Sequence, residues 1–590
     1  MEIGGEVGAH NREVEDGSVD YKGRVPLRAT TGGWKASLFI IALEFGERLC
    51  YFGIVSNLFM YLMTVLHQDV KTAAKNVNEF VGVSTVVPLI GGFLADSYTG
   101  SFRMVVLSSS LYQIGLMLLA ASQLLPLLKP PACVGDSCSG SLGLHKTVFF
   151  VALYLISVAS GVHKPSLESF GADQFDETDH GERRKKTSFF NWWFFGACSG
   201  TLLGVSAFVY VTEHLGWGVG FAVLAVVLAI VFLSLLIGTP YYRYKVPRGS
   251  PLTPMLQVFV AAMAKKKLPL PSDPSQLYDP VVPGRRRVSH TSRMRFLDKA
   301  AIIDQVEPQE GSKKMTGQNP TSEYCRHPWR LATVTQVEET KQLVSIIPIW
   351  SAALMYGICI AQSDTFFIKQ GSVMDRHITP SIEIPAGAIL TISTLSMVIF
   401  VGLYDRLVVP ALRRFTGNER GITILQRIGV GLFSSISFLA ATAIVEKKRK
   451  DSPEPISFLW LCPQLVLMAI CEIFTFVGLQ EFFYGQVPEN MKSLGMGIYL
   501  SVFGVSSLLS SMLISIVDFL TSRGGNSSWF QEDLNKSKID YFFWLLAAMS
   551  IVNFCFFVCL ARRYSYKPVK GLRTEAVVDL RDGDHEMSSD

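Results

Sequence analysis

Long apolar blocks alternate with short polar stretches along this chain, instead of recurring at the period of an amphipathic helix or a strand. A helix needs about 20 mainly apolar residues to cross the hydrocarbon core of a bilayer. We therefore expect an all-α membrane protein with twelve transmembrane helices in two sets of six. The predicted spans lie near residues 35–63, 79–96, 102–127, 147–170, 188–212, 217–240, 341–362, 384–405, 421–445, 456–484, 493–519 and 539–561.

One long polar insertion separates the sixth apolar block from the seventh. It predicts the following domains: a cytosolic N-terminal tail (1–34), a six-helix bundle (35–240), a cytosolic basic linker (241–340), a second six-helix bundle (341–562) and a cytosolic C-terminal tail (563–590).

The linker carries two local signals. An apolar run at 254–264, followed by three lysines, predicts an interfacial helix with a basic end. Arg285, Arg286 and Arg287 precede Ser289, so phosphorylation of Ser289 by a basophilic kinase is a hypothesis. The alternative interpretation of these residues is a solvent-exposed basic loop with no further role.

The orientation prediction rests on the loops. Lys and Arg are more frequent on the side of the two tails, which places that side in the cytosol, although a basic run at 447–450 lies opposite. Two glycosylation sequences, at Asn526 and Asn535, fall on the opposite side. Cys133 and Cys138 lie there too, where a disulfide can form.

The two halves of the chain echo each other after their second spans. Asp96 precedes Arg103 by seven residues, and Asp405 precedes Arg413 by eight. An acid at one helix end and a base at the start of the next can latch two helices at the cytosolic face. Repeated helical units with a site between them are typical of secondary transporters.

The composition excludes several other classes. The 590 residues are 49% hydrophobic and only 17% charged, whereas a soluble domain carries about 25% charge. The net charge of +5 is small, so the expected partner is the lipid bilayer and not a nucleic acid. The common hydrolase and ATP-binding motifs do not occur, so we expect neither an enzyme nor an ATP-driven pump, and no cofactor or metal.

Five ionisable residues lie inside predicted spans at the depth expected for a transport site. Glu44, Glu47 and Arg48 share one face of the first span, Lys164 lies in the fourth and Glu472 in the tenth. Charges in hydrocarbon are costly and usually mark a transport path. Arg48 can pair with one carboxylate while the other takes a proton, and Lys164 facing Glu472 would form a gate between the halves. Salt bridges that only hold helices together are the simpler alternative.

Several uncharged residues are candidates for lining the same path. Tyr51, Asn191, Trp192 and Tyr356 lie in the first, fifth and seventh spans. Ordinary packing of aromatic side chains explains them equally well.

At this point the chain resembles the proton-coupled oligopeptide transporter family of the major facilitator superfamily, and most closely its plant nitrate/peptide branch. The most specific matches are the E-x-x-E-R helix at 44–48 and the FGADQF run at 170–175. The long linker with RFLDKAAI at 295–302 is similar to the plant branch. Further matches are GGFLAD (91–96), FFNWWFFG (189–196), TFFIKQG (365–371) and EFFYGQVPENMKS (481–493).

The resemblance implies a mechanism and roles for particular residues. It implies proton symport by alternating access in the major-facilitator fold, with Glu44, Glu47 and Arg48 as the proton-coupling motif and Lys164 linking proton to substrate. In peptide carriers, the positions of Lys164 and Glu472 hold the peptide carboxylate and amine. Nitrate carriers place a histidine where this chain has Ile360.

The cargo therefore stays open between nitrate and a di- or tripeptide, with plant hormones and other organic anions as alternatives. A sensor that signals through the linker and a passive uniporter are the rival functions. The plasma membrane and the vacuolar membrane are the two expected locations.

Overall fold

Long helices joined by short connections make up most of the described chain. The computed structural model describes residues 13–14, 16–128, 142–176, 179–245, 249–250, 252–271, 273–280, 290–303, 328–380, 382–416, 422–488, 492–523 and 527–564. The predicted disulfide, the first glycosylation site and the kinase site lie outside these residues, at Cys133, Cys138, Asn526 and Ser289.

Twelve principal helices are labelled α1 to α12 in chain order. In the described ranges, ten helical segments are long and apolar enough to cross a membrane. The other two are α1, which carries charges in its middle, and α8, which is short and follows a 3₁₀ turn. The bounds are α1 Gly33–Thr64, α2 Val70–Leu94, α3 Ser101–Leu124, α4 Leu142–Ala172, α5 His180–Leu203, α6 Trp217–Ile237, α7 Val334–Ile360, α8 Thr391–Leu403, α9 Ile424–Asp451, α10 Cys462–Gln486, α11 Lys492–Thr521 and α12 Ile539–Arg563.

Shorter elements extend or connect these helices. Four π-helical segments are Ala95–Thr99, Gly204–Phe208, Ser363–Phe367 and Tyr404–Val408, and the short α-helices are Val209–Leu215, Leu252–Ala264, Ile368–Ser372 and Val409–Thr416. The 3₁₀ turns are Thr239–Tyr241, Pro274–Gln276, Leu297–Ala301, Ala386–Leu390 and Phe458–Leu461. Two short strands, β1 His377–Thr379 and β2 Ile382–Glu383, pair antiparallel.

The two halves repeat the same pattern of helix neighbours. In the first half α3 packs against α4 and α6, α2 against α4, and α1 against α5 and α6. In the second half α9 packs against α10 and α12, α8 against α10, and α7 against α11 and α12. Adding six to each number in the first set gives the second, so the repeat seen in the loops extends to the helix packing.

Three helices, α2, α5 and α7, begin well before their predicted spans. α2 starts at Val70, because its polar first turns form an extension in which Lys71 pairs with Asp518 of α11 at 3.0 Å. α7 starts at Val334, where the Thr333 and Gln336 side chains form a reciprocal capping box. Hydropathy identifies the apolar part of a helix but not its polar ends.

Where the structure describes it, the N-terminal tail packs against the first half of the protein. Val19 forms an antiparallel bridge with Tyr244, just after α6. The Arg28 guanidinium lies 2.6 Å from the Asp176 carboxylate, just after α4. These contacts tie the tail to two helix ends on one face of the protein, which we call the linker side.

The predicted interfacial helix in the linker is an α-helix, Leu252–Ala264. Its buried residues Val258 and Ala261 pack with Leu297 and with Val337 of α7. An opposite set of apolar side chains, Leu256, Val260 and Met263, is exposed. The helix therefore binds the base of α7 with one face and leaves an apolar face for another surface.

The predicted latch residues follow π-helical turns in both halves. Asp96 and Asp405 are each the second residue of such a segment, Ala95–Thr99 and Tyr404–Val408. Their side chains lie outside the described set, while Arg103 and Arg413 are exposed. The symmetric backbone agrees with a duplicated loop, and the latch itself stays a prediction.

Candidate functional site

The middle of α1 carries a buried cluster of charges. Glu44 and Glu47 are fully buried, and the Arg48 side chain is 26% exposed. Arg48 Nε donates to Glu44 Oε1 at 2.7 Å, and it lies 3.8 Å from Glu47 Oε2. The spacing of three and four residues puts all three groups on one helical face, so a single guanidinium serves two carboxylates.

Helix α4 completes this cluster from the side. The Ser160 hydroxyl donates to Glu47 Oε1 at 2.6 Å. Lys164, one turn further along α4, rests its ammonium over the Tyr51 ring, 3.8 Å from the ring centroid. Tyr51 is held by a 2.7 Å hydrogen bond between its hydroxyl and that of Ser84 in α2. Lys164 thus interacts with Glu47 electrostatically, and it forms no ion pair within 4.0 Å among the described residues.

The structure does not form the predicted gate between Lys164 and Glu472. Among the described residues, neither side chain takes part in an ion pair within 4.0 Å, and Lys164 lies on Tyr51 instead. The acid that interacts with Glu472 is Asp364. In this conformation the Tyr51 ring holds the ammonium, and the Lys164–Glu472 gate, whose pair breaks and forms during transport, stays a prediction.

Sequence reasoning missed two ionisable residues of the site. Glu168 lies one turn after Lys164 in α4 and interacts with Glu44 and Arg48. Its spacing of four from Lys164 was a usable signal. Asp364 lies in the π-helical segment Ser363–Phe367, just past the predicted end of the seventh span. Hydropathy gave no reason to place this acid inside the protein.

The predicted path-lining residues fall into different environments. Tyr356 is buried in α7, and its hydroxyl has no hydrogen-bond partner in the described residues. Ile360 is the last residue of α7 and is partly buried. Trp192 is 55% exposed and touches Phe195, and the Asn191 side chain lies outside the described set. Of the four predicted lining residues besides Ile360, Tyr356 interacts electrostatically with Glu472, and Tyr51 interacts with Glu47 and Asp364.

The two halves are joined at the end away from the linker. Both ion pairs that cross between halves in the described residues, Lys71–Asp518 at 3.0 Å and Arg376–Glu213 at 4.0 Å, lie there. Halfway along α2 and α11 the backbones come so close that a Cβ on Gly504 would lie 2.8 Å from the Gly82 carbonyl oxygen. The halves therefore meet at this end, as an alternating-access protein does when one entrance is shut.

A second buried charge cluster lies where the linker meets α7, and its lysine, unlike Lys164, is paired with carboxylates. The Lys341 ammonium lies 2.6 Å from Asp298 and 2.8 Å from Glu338. Thr291 donates to Glu338, and His290 lies 3.1 Å from Asp298. The acids and His290 could converge on a metal ion, but the Lys341 ammonium already contacts both carboxylates and balances one of their two charges. This cluster is closed and attaches the linker to α7.

The predicted glycosylation site Asn535 is described and exposed. Its Oδ1 accepts a 2.7 Å hydrogen bond from Arg449, while the glycan would attach to the other side-chain atom, Nδ2. Glycosylation stays a prediction.

Repeated bundles of membrane-spanning helices, with charged side chains inside α1, α4 and α10, define a secondary transporter of the major-facilitator type. Residues 102–530 match the family model described as the POT family. The chain belongs to this family.

Its relatives and structural neighbours agree. Protein NRT1/PTR FAMILY 5.7 of Arabidopsis thaliana is 48% identical over 569 residues, which cover 94% of this chain and 92% of the relative. Protein NRT1/PTR FAMILY 8.3 of the same plant is 41% identical over 570 residues, 94% and 95% of the two chains. The crystal structure of an auto-inhibited POT family peptide transporter matches with a TM-score of 0.68 at 19% identity, over 91% and 98% of the two chains.

These findings confirm the predicted family, the all-α major-facilitator fold and the class of protein. The chain is an integral, multi-pass membrane transporter of a small solute and not an enzyme.

Proposed function

We propose that this transporter is a proton-driven symporter that works by alternating access, with the linker side in the cytosol. The observation that carries this proposal is the cluster on α1 and α4. Among the described residues, Glu44, Glu47 and Glu168 interact with two basic side chains, Arg48 and Lys164, and with the imidazole of His163. Lys164 is held by an aromatic ring instead of a carboxylate. One acid is therefore in excess, which is the condition for taking up a proton.

The coupling step follows from these contacts. A proton on Glu47 removes the negative charge nearest to Lys164 and weakens the hold of the acids on Arg48. Lys164 can then bind an anionic group of the cargo, such as nitrate or the carboxylate of a peptide. The inward proton gradient supplies the energy, and no cofactor is needed.

The cargo candidates are nitrate and a di- or tripeptide, because the structural neighbours include peptide transporters and the resemblance covers both cargoes. Hormones and other organic anions are the alternative cargoes. For location we propose the plasma membrane or the vacuolar membrane, which a fluorescent fusion would distinguish.

A basophilic kinase is proposed as a partner at Ser289. The neighbouring residues His290 and Thr291 hold the linker to α7 through Asp298 and Glu338. Two negative charges added by a phosphate beside these acids would weaken that attachment. Phosphopeptide mass spectrometry of the expressed protein, with Ser289→Ala as the control, tests this part.

The decisive experiment compares Glu47→Gln with the wild type in proteoliposomes. We expect gradient-driven accumulation to be abolished, while counterflow exchange, which needs no net proton movement, persists. The matched control is Glu79→Gln, since Glu79 is a carboxylate on α2 that binds Tyr154 and lies outside the cluster. Normal accumulation by both Glu47→Gln and Lys164→Ala would disprove the coupling role.

Two other outcomes identify the rival functions. Equal uptake with and without a proton gradient in the wild type would indicate a uniporter. Binding without uptake, together with a response that depends on residues 241–340, would indicate a sensor.

A further inference from the structure

One hydrogen bond joins α4 to the carboxylate of Glu47. The Ser160 hydroxyl donates to Glu47 Oε1 at 2.6 Å, and both residues are fully buried. The other oxygen, Oε2, has no hydrogen-bond partner among the described residues. The Arg48 Nε lies 3.8 Å from it, which is beyond hydrogen-bond reach. In the part of the chain that the structure describes, Ser160 is therefore the hydrogen-bond donor of Glu47.

The two acids of α1 have different kinds of donor. Glu44 accepts from the Arg48 guanidinium at 2.7 Å, whereas Glu47 accepts from a neutral hydroxyl. A guanidinium can only donate a hydrogen bond. A hydroxyl can donate to a carboxylate and can also accept from a protonated carboxyl group. Glu47 is therefore the acid of the pair that can take up a proton and keep its partner.

The backbone of α4 fixes the position of the Ser160 hydroxyl. Gly161, the next residue, lies so close to α2 that a Cβ on it would be 2.7 Å from the Val87 side chain. Ser166, further along α4, donates to the carbonyl oxygen of Val162 in its own helix, a common partner for a serine inside a helix. Ser160 donates to another helix instead, so its hydroxyl is committed to Glu47.

The charged and titratable groups around Glu47 belong to three helices. The charged groups, on α1 and α4, are Glu44, Arg48 and Lys164. The other titratable groups, on α1, α3 and α4, are Cys50, Tyr51, Tyr112 and His163. Within the described ranges, none of these seven side chains donates a hydrogen bond to Glu47. The contact with Ser160 is therefore the one that a proton on Glu47 changes directly.

We propose that Ser160 is a positioning residue of the proton-coupling step, whose hydroxyl stabilises the ionised form of Glu47 and so sets the pH at which Glu47 takes up its proton. A hydrogen bond to the charged form of an acid favours that form. When the proton binds to Glu47, the carboxyl group becomes the donor and the Ser160 oxygen becomes the acceptor. This inference rests on the proposed function, in which Glu47 carries the transported proton.

The test is an infrared titration of the purified full-length chain, which needs no cargo. The C=O stretching band of protonated carboxyl groups is followed from about pH 4 to about pH 9, and the part that Glu47→Gln removes is assigned to Glu47. Ser160→Ala should move the midpoint of that part by about one to two pH units toward higher pH, because the ionised form loses its hydrogen bond. The frequency of the Glu47 band should also change, since the protonated carboxyl group loses its acceptor.

Three further variants distinguish the hydrogen bond from a general loosening of α4. Ser157→Ala removes another buried hydrogen bond of this helix, the 2.8 Å bond to the carbonyl oxygen of Phe80 in α2, and should leave the midpoint unchanged. Ser160→Thr keeps a hydroxyl and should keep the wild-type midpoint. Ser160→Cys carries a weaker donor and should give a smaller shift in the same direction, which tests the inference even if Ser160→Ala fails to fold.

The inference is overturned if Ser160→Ala and Ser160→Cys keep the wild-type midpoint, if Ser157→Ala moves it equally, or if Glu47 does not titrate in this range. Failure of proton-driven transport would give a different result. The infrared shift would then remain, while a proton gradient would not change the uptake of labelled nitrate or alanyl-alanine by the wild type.

Discussion

The two halves of the site use charge in opposite ways. In the first half, Glu44 and Glu47 share Arg48 at 2.7 and 3.8 Å, and Lys164 lies close by on Tyr51. In the second half, Asp364 and Glu472 interact electrostatically, and no cation lies within ion-pair distance of either acid in the described residues.

This difference separates two tasks. Where charges of both signs are present, a proton can change the pairing without anything else entering the site. Where only acids are present, the balancing charge must come from outside, as a proton or as part of the cargo. We infer that the first half couples transport to protons and the second half selects the cargo.

The largest effect is expected from a substitution in the first half, where charges of both signs are present. Arg48→Leu leaves two buried carboxylates without their guanidinium, and losing one member of a buried ion pair costs about 3 to 5 kcal/mol. We expect about 3 kcal/mol, because Arg48 is 26% exposed. The measurement is the thermal unfolding midpoint of the detergent-solubilised protein by size-exclusion chromatography.

Two further variants make this a comparison between halves. Adding Glu44→Gln to Arg48→Leu should recover part of the loss, since it removes one of the stranded charges. Glu472→Gln should cost little or raise the midpoint, because it relieves repulsion from Asp364. A large loss in Glu472→Gln would contradict the view that the second half lacks a balancing cation.

A smaller effect is expected at Tyr51, which lies between the two halves. Tyr51→Leu removes the ring beneath Lys164, and a shielded cation–π contact contributes about 2 kcal/mol, so kcat/KM for gradient-driven alanyl-alanine uptake should fall about 30-fold. Tyr51→Phe keeps the ring and loses only the hydrogen bond to Ser84, so about fivefold is expected. Equal losses in the two variants would show that the ring does not position Lys164.

Much of the fold could be predicted because a bilayer imposes one simple rule, the length of an apolar helix. The sequence also predicted the acids and base of α1, since spacing fixes which residues share a helical face. Asp364 could not be found in this way, because its position depends on a π-helical turn and on packing against α1 and α2. Contacts between distant helices leave no periodic signal.

The basic run at 447–450 shows the same limit for orientation. It argued against the predicted topology when counted as free charge. In the structure Lys448 stacks on Trp460, Arg449 pairs with Glu446, and Lys450 pairs with Asp540. Three of its four charges therefore have partners within the fold. Counting the Lys and Arg residues of loops takes no account of such partners.

The smallest effect is expected from a substitution that adds a cation to the second half, where Asp364 and Glu472 lie. Ile360 is the last residue of α7, and the π-helical segment that carries Asp364 begins three residues later, so Ile360→His introduces an imidazole close in sequence to one of the two acids. An imidazolium supplies positive charge below its usual pKa of about 6.5. We expect nitrate uptake to rise about threefold at pH 5.5, with less gain at pH 7.5 where the ring is neutral, and alanyl-alanine uptake to fall. Labelled uptake in oocytes at both pH values, with Ile360→Gln as a polar control without charge, measures this. The same nitrate uptake in the His and Gln variants would show that the acids of the second half do not determine which charge is admitted.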